Sequence, residues 1–247
     1  MKVLATYNIK GGVGKTATAV NLSYLAARDG LRVLLADLDP QAAATYTLRV
    51  RPRVKGGGKA LITGSRELDA AIKGTDFDNL DLLPADFTFR NLDLMLDATK
   101  KPTQRLARLL RPLRASYDLV FLDCPPGISL LSESVLHAAD LALVPIIPTT
   151  LSLRTLDQLT EFIGDFDGYR PEVLAFSSMI DRRKRLHKEI AERLPAERKD
   201  VADTAIPALS MIEQMSVRRA PVAAFAPRSA AARAFAELWA EVRDSQF

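Results

Sequence analysis

Apolar residues along this chain gather into short continuous runs instead of alternating with polar ones. Residues 2–7 (KVLATY) make the first run and 31–39 (LRVLLADLD) the second. Others lie near 81, at 117–123 (YDLVFLD), 140–147 (DLALVPII), 171–180 (PEVLAFSSMI) and 201–206 (VADTAI). A strand apolar at successive positions is covered on both faces, as in a mainly parallel sheet with helices on each side. Helical spacing fills the intervals. KTATAVNLSYLAARDG is apolar on nearly every side and stops at Gly30; further helices are expected at about 87–97, 103–115, 129–139, 151–164, 184–194 and 228–243. The alternation predicts an α/β fold: a doubly wound, mainly parallel sheet flanked by helices, forming a single domain over 1–247. One segment looks like a linker, RVRPRVKGGGKA at 49–60, with five basic residues and no acidic one.

Between the first strand and the first helix stands IKGGVGKT, residues 9–16. Glycines let backbone N–H groups face an anion without steric cost, and a helix N-terminus adds partial positive charge. Gly11, Gly12, Val13, Gly14, Lys15, Thr16 and Ala17 are therefore the expected cradle of a polyphosphate, which makes the fold a P-loop NTPase. Lys15 reaches the β- and γ-phosphates and Thr16 offers its hydroxyl to Mg²⁺. The ordinary loop has a glycine where Ile9 stands, and it needs only one lysine. Lys10 is the extra one.

Acids support this reading. LLADLDPQ places Asp37 and Asp39 at the carboxyl end of the second strand, and YDLVFLDCPPG places Asp123 at the end of another. In a parallel sheet those ends converge on the ligand. Asp123 follows a run of mainly apolar residues, as a Walker B aspartate does, close to Mg²⁺. A single such acid is usually a cap or turn residue; three beside a phosphate loop point to the metal. CPPG after Asp123 reads as a stiff loop that senses the γ-phosphate, with the Gly127 N–H as its contact.

Charge and composition add limits. The net charge of +4 matters only where basic residues cluster. The single cysteine, Cys124, makes no internal disulfide, which fits a reducing cytosol. No signal peptide precedes the loop, and no apolar run reaches the ~20 residues of a membrane span. The two histidines, His137 and His187, have no metal-ligand spacing.

KGGVGKT, DLDPQAAAT and FLDCPPG, in this order, resemble the deviant Walker A family of ParA, Soj and MinD ATPases. The resemblance extends over essentially the whole chain, including 204–239. It implies ATP and Mg²⁺ as cofactors. It implies that Lys10 is the signature lysine, crossing a nucleotide-sandwich homodimer to the partner's ATP. Catalysis falls to Lys10, Lys15 and Asp39, with Asp39 beside the attacking water. Thr16, Asp37 and Asp123 surround the metal, and Met179 and Pro207 lie where the family holds the base. Two nucleotides face to face repel unless cations separate them, so Lys10 makes dimerisation depend on ATP. No additional arginine finger is visible, so basal hydrolysis is expected to be slow until a ParB-like or other cargo adaptor stimulates it.

The family's branches differ in what the dimer holds. An iron–sulfur branch needs more thiolates than Cys124 alone. A membrane branch, of the MinD type, needs a basic amphipathic tail. Here Ala231, Phe235, Leu238, Trp239 and Val242 share one side, while arginines and acids mix on the other, so a helix docked on the core is expected and no membrane partner. Nonspecific DNA needs basic patches, and two exist: Arg182, Arg183, Lys184, Arg185 and Lys188, then Arg218 and Arg219. Ala208 stands where the family often has an arginine. No helix-turn-helix precedes the loop, so no sequence preference is expected. The basic segment at 49–60 touches DNA or a partner, or is a flexible connection. The reading is a cytoplasmic, nucleoid-associated partitioning ATPase moving plasmid, chromosome or protein cargo. The alternatives are a MinD-like membrane-surface ATPase and an ATP-dependent enzyme acting on a small molecule.

Overall fold

The computed structural model describes residues 1–54, 57–63 and 65–246. Lys55 and Gly56 of the basic segment therefore lie outside the described residues. Seven strands form one sheet: β1 Lys2–Thr6, β2 Val33–Asp37, β3 Lys73–Gly74, β4 Leu80–Leu83, β5 Leu119–Asp123, β6 Leu141–Ile146 and β7 Glu172–Ser177. Their order is β3-β4-β2-β5-β1-β6-β7, parallel except for the β3–β4 pair.

The continuous apolar runs have the expected cause. Val33 and Leu35 face one core while Leu34 and Ala36 face the other; Leu119 and Phe121 part from Val120 and Leu122 in the same way. Side chains of a strand alternate between faces, and here both faces are dry. The first core is closed by α1 (Lys15–Arg28) and by α12 (Ala230–Gln246) through Phe235, Leu238 and Trp239. The second is closed by α5 (Leu92–Asp97), α6 (Arg105–Leu110), α7 (Leu130–Ala138), α8 (Thr150–Gly164) and α9 (Arg185–Glu197). The apolar stripe of α12 is thus spent on the sheet, and Trp239 Nε1 donates to Asp29 Oδ2 at 2.8 Å.

Several expectations need correction. Residues 201–206 do not form a strand; they make one isolated bridge to Ala175 and bond β7 only through the amides of Ala202 and Ile206. Glu241 on α12 takes the amides of Asp203 and Thr204 instead, at 2.9 and 2.7 Å, and Pro207 has no amide to offer. The helix expected at 87–97 is a 3₁₀ turn, Phe87–Asn91, followed by α5. That at 103–115 splits into 3₁₀, α and 3₁₀ segments, the last holding Pro112, which cannot supply a helical N–H.

Short helices went unforeseen: α2 Ala43–Thr47, α3 Gly57–Thr63, α4 Ser65–Ala71, α10 Ser210–Arg218 and α11 Val222–Phe225. α3 makes the end of the basic segment, residues 57–60, helical where a flexible connection was one expectation. A Cβ on Gly58 would sit 3.1 Å from Leu92 Cδ2, so that glycine permits close packing on α5.

Asn21, buried on α1, holds three helices together. Its Nδ2 donates to Ala17 O and contacts Met215 Sδ on α10, and its Oδ1 accepts the Val222 N–H of α11 at 2.8 Å. Asn21→Ala strands that amide, and the expected loss is about 2 kcal/mol of stability. The midpoint of urea unfolding measures it.

Candidate functional site

Register assembles the site. Thr6 on β1 is level with Asp123 on β5, and Asp123 with Asp37 on β2. Three neighbouring strands therefore end together, and the chain leaving β1 forms the glycine loop over their carboxyl edge. Gly12 (φ 70°) and Gly14 (φ 98°) adopt left-handed conformations that favour glycine. At Gly14 a Cβ would also lie 3.0 Å from Ser178 Oγ, whose hydroxyl donates to Val13 O at 2.8 Å. Ser178, just past β7, thus pins the loop from the other side of the sheet.

Both lysines are placed by the loop's own carbonyls and amides. Lys15 is buried, its Nζ donating to Lys10 O at 3.0 Å, and burial lowers its pKa. The Lys10 amide donates to Asn8 Oδ1 at 2.9 Å, and Asn8 Nδ2 is fixed on Pro145 O at 2.8 Å. The backbone of Lys10 is therefore rigidly held. Its ammonium group forms no hydrogen bond or ion pair with any described residue.

The three acids differ in environment. Asp123 is fully buried; its Oδ1 is 3.4 Å from the Thr6 hydroxyl and its Oδ2 has no partner. Burial, with Asp37 alongside, pushes its pKa well above the carboxylate range. Asp37 is also buried, and desolvation raises it to about 6 even though Oδ2 accepts from the Thr45 amide and hydroxyl at 2.8 and 2.7 Å. Asp39 is half-buried and caps the following turn, accepting from the Gln41 amide at 2.9 Å. A buried carboxylate oxygen without a donor, beside a second desolvated acid and a glycine cradle, fits a hydrated divalent cation and a polyphosphate.

One expected contact is used differently. The Gly127 N–H donates to Ile9 O at 2.9 Å, and Gly127 O accepts from the Tyr7 hydroxyl at 2.9 Å. The peptide expected to meet a γ-phosphate is here tied to the entrance of the glycine loop.

A cleft of about 390 Å³ runs from Gly11 and Thr16 past Asp39 to an apolar end made by Met179, Pro207, Leu209 and Ile212. Glu213 is the charged residue at that end. Met179 has a left-handed φ of 54°, a strained conformation for a side chain of this size. Met179 and Pro207, expected near the base, line this cleft, whereas Asn8, Thr45, Ser178 and the contribution of α10 were not expected.

The basic residues fall in two places. Around the start of α9, Arg183 is forked onto Asp181 and Arg185 pairs with Glu189, while buried His187 accepts the Asp181 amide. At the end of α10, Arg218 is exposed, whereas Arg219 lies 4.6 Å over the Tyr46 ring and donates to Tyr46 O.

The sequence profile of a family described as an AAA domain matches residues 1–174. Soj, the sporulation initiation inhibitor protein of Bacillus subtilis, is 31% identical, with 98% of each chain covered. The chromosome partitioning protein ParA of Caulobacter vibrioides is 33% identical, over 98% of this chain and 94% of that one. Cobyrinic acid a,c-diamide synthase from Mycobacterium smegmatis, solved with an ATP analogue and magnesium, superposes with a TM-score of 0.84 at 28% identity, covering 100% and 96%. The cell division ATPase MinD of Pyrococcus furiosus shares the fold, with a TM-score of 0.80 at 24% identity over 99% of each chain. Among the described residues no helix is long and apolar enough to cross a membrane.

Asp37 carries a pH signature. Its folded pKa, about 6, lies above the ordinary aspartate value of 3.8, so its charge costs stability at neutral pH and that cost fades as the acid protonates below about 6. The stability gap between Asp37→Asn and the parent chain should therefore shrink by about 2 kcal/mol from pH 7 to pH 4. Denaturant titrations of both proteins across this range, without nucleotide, provide the check.

Proposed function

The chain belongs to the AAA domain family and, within it, to the ParA and Soj group of deviant Walker A ATPases; from that premise we propose that it is a partitioning ATPase. It binds ATP and Mg²⁺, closes into a sandwich homodimer, holds nonspecific DNA in that state, and hydrolyses ATP slowly until a ParB-like or other adaptor stimulates it. Its cargo is a plasmid, a chromosome or a protein assembly. It acts as one ATPase domain over 1–247, in the cytoplasm on the nucleoid.

The carrying observation is Lys10. The backbone holding it is fixed by Asn8 and Lys15, yet its ammonium group has no acid within the described chain. Lys15 already serves the cradle, so a second, unspent cation at the rim is explained by an anion that another copy brings. In this reading Gly11 to Ala17 wrap the phosphates, and Thr16, Asp37 and Asp123 hold the metal, directly or through water. A metal held there would supply positive charge against that developing on the transferred phosphoryl group. Asp39, whose carboxylate is held beside the Gln41 amide, orients the water. The apolar end of the cleft, with Met179 and Pro207, receives the base. The Gly127 peptide must leave Ile9 before its N–H can report the γ-phosphate, so the loop after β5 and the entrance carrying Lys10 respond together.

A second reading is an ATP-dependent enzyme acting on a small molecule, favoured by the likeness to the Mycobacterium smegmatis synthase. Such an enzyme has no need of Lys10. The likeness to MinD is one of fold and does not favour a membrane role.

Lys10→Ala separates these readings. Sedimentation with ATP and Mg²⁺ should show single subunits where the parent chain dimerises; a dimer that survives overturns the sandwich. Asp39→Ala should leave the dimer closed and slow hydrolysis by roughly 10²-fold. A dimer touching about six phosphates loses roughly 10³-fold in DNA affinity between 50 and 200 mM salt. Anisotropy titrations on unrelated duplexes measure that slope, and a flat one rules out backbone binding.

A further inference from the structure

The basic residues near position 50 and those near 218 are read from the sequence as separate segments. The fold joins them. Arg49 donates from Nε to Arg219 O and from its terminal nitrogen to Arg218 O, both at 3.1 Å, across 170 and 169 positions of chain. Arg219 returns the contact, stacking on Tyr46 and donating to Tyr46 O at 2.9 Å. The result is a cup of about 450 Å³ whose wall includes Gln41, Tyr46, Arg49, Arg51, Pro52 and Arg219. Arg218 is exposed in the last turn of α10, next to Arg219.

Charge around the cup is poorly compensated. Arg49 has Asp76 at 3.4 Å, with both side chains more than half exposed, so that pair contributes little. The exposed side chains of Arg51 and Arg218 form no hydrogen bond or ion pair with any described residue. Around the start of α9, Asp181 and Glu189 occupy the guanidinium groups of Arg183 and Arg185, while the exposed Arg182, Lys184 and Lys188 have no ion pair among the described residues. A guanidinium fork free of acids is the group that matches a phosphate oxygen pair.

Two stretches of chain run from the cleft to the cup. Gln41 and Ala42 stand two and three residues after Asp39, whose carboxylate and carbonyl accept their amides. α10 begins at the base end of the cleft, with Ile212 and Glu213, and ends at Arg218 beside the cup. A nucleotide-dependent shift of Asp39 or of the start of α10 would therefore have a route to the cup.

Resting on the partitioning reading above, we propose that this cup, with Arg51 and Arg218 at its rim, is the seat of a backbone phosphate of duplex DNA, and that it couples DNA affinity to the nucleotide. Arg49 and Arg219 are its scaffold, since their guanidinium groups already hold carbonyls. Arg51 and Arg218 make the phosphate contacts. The Arg182 to Lys188 cluster contributes only to the surrounding field.

The test uses the full chain with ATP and Mg²⁺ on duplexes of unrelated sequence, from 50 to 200 mM salt. The double variant Arg51→Glu and Arg218→Glu should weaken binding at least about tenfold and reduce the salt slope by about 2, one lost phosphate per subunit of a dimer. The double variant Arg182→Glu and Arg185→Glu should weaken binding less than about threefold and keep most of the slope. Sedimentation with nucleotide accompanies each titration, so that loss of DNA binding by an intact dimer is distinguished from loss of the dimer. If charge reversal at 51 and 218 leaves binding unchanged while reversal at 182 and 185 abolishes it, the cup is overturned and the DNA reading stands. If the parent dimer binds no duplex at low salt, both fall. If it binds vesicles of phosphatidylglycerol and phosphatidylcholine instead, through Arg51 and Arg218, the occupant is a lipid headgroup and the proposal is wrong.

Discussion

Everything at the carboxyl edge of this sheet follows from one costly juxtaposition: two carboxylates, Asp37 and Asp123, side by side on adjacent strands and cut off from water. Among the described residues neither forms an ion pair with an arginine or lysine, although Lys15 acts on Asp123 from nearby. Asp37 is eased by Thr45, while Asp123 keeps an oxygen with no donor. Folding alone gives no reason to tolerate such a pair, because buried charge without a partner is among the most destabilising features a core can hold. A chain of this size tolerates it because the two packed cores around the sheet are extensive and dry. The acids remain as an unmet demand for positive charge, and the glycine loop brings an anion-seeking surface to the same spot. A polyanion with its own cation satisfies both demands at once.

Positive charge on the outside obeys a similar economy. Surface arginines that meet acids, such as Arg32 on Asp118 or Arg183 on Asp181, depress the carboxylate pKa to about 2 and are largely neutralised as binding groups. Arginines that meet only carbonyls or rings, as Arg219 does, keep their charge while giving up their freedom. Such residues shape a field without being the first to respond to it.

Much of this was legible along the chain, for a physical reason. Runs apolar on both faces, the glycine loop and the strand-end acids are local patterns, and each is dictated by neighbours a few residues away. The features that escaped depend on distant partners. Ser178 holds the carbonyl of Val13, 165 positions earlier, and the Tyr7 hydroxyl holds Gly127. Residues 201–206 have the composition of a strand, yet Glu241 captures two of their amides. The glycines at 57 and 58 suggest looseness, whereas a Cβ at 57 would lie 2.5 Å from Thr88 Oγ1 and one at 58 would lie 3.1 Å from Leu92 Cδ2, so both positions are closely packed. The roles of individual site residues rest on the family resemblance, since spacing alone does not say which acid faces water and which faces metal.

Glu241 has a wider effect than the loss of a strand. By drawing 203 and 204 toward α12, it lays an irregular segment along the outer side of β7, so that margin presents no regular ladder of amides and carbonyls to a stranger. The opposite margin ends in a two-residue antiparallel strand, too short to template another. A sheet blunted at both sides cannot grow by lateral addition of like molecules. Any self-association is thereby steered away from open-ended stacking and toward faces where it closes after a fixed number of subunits.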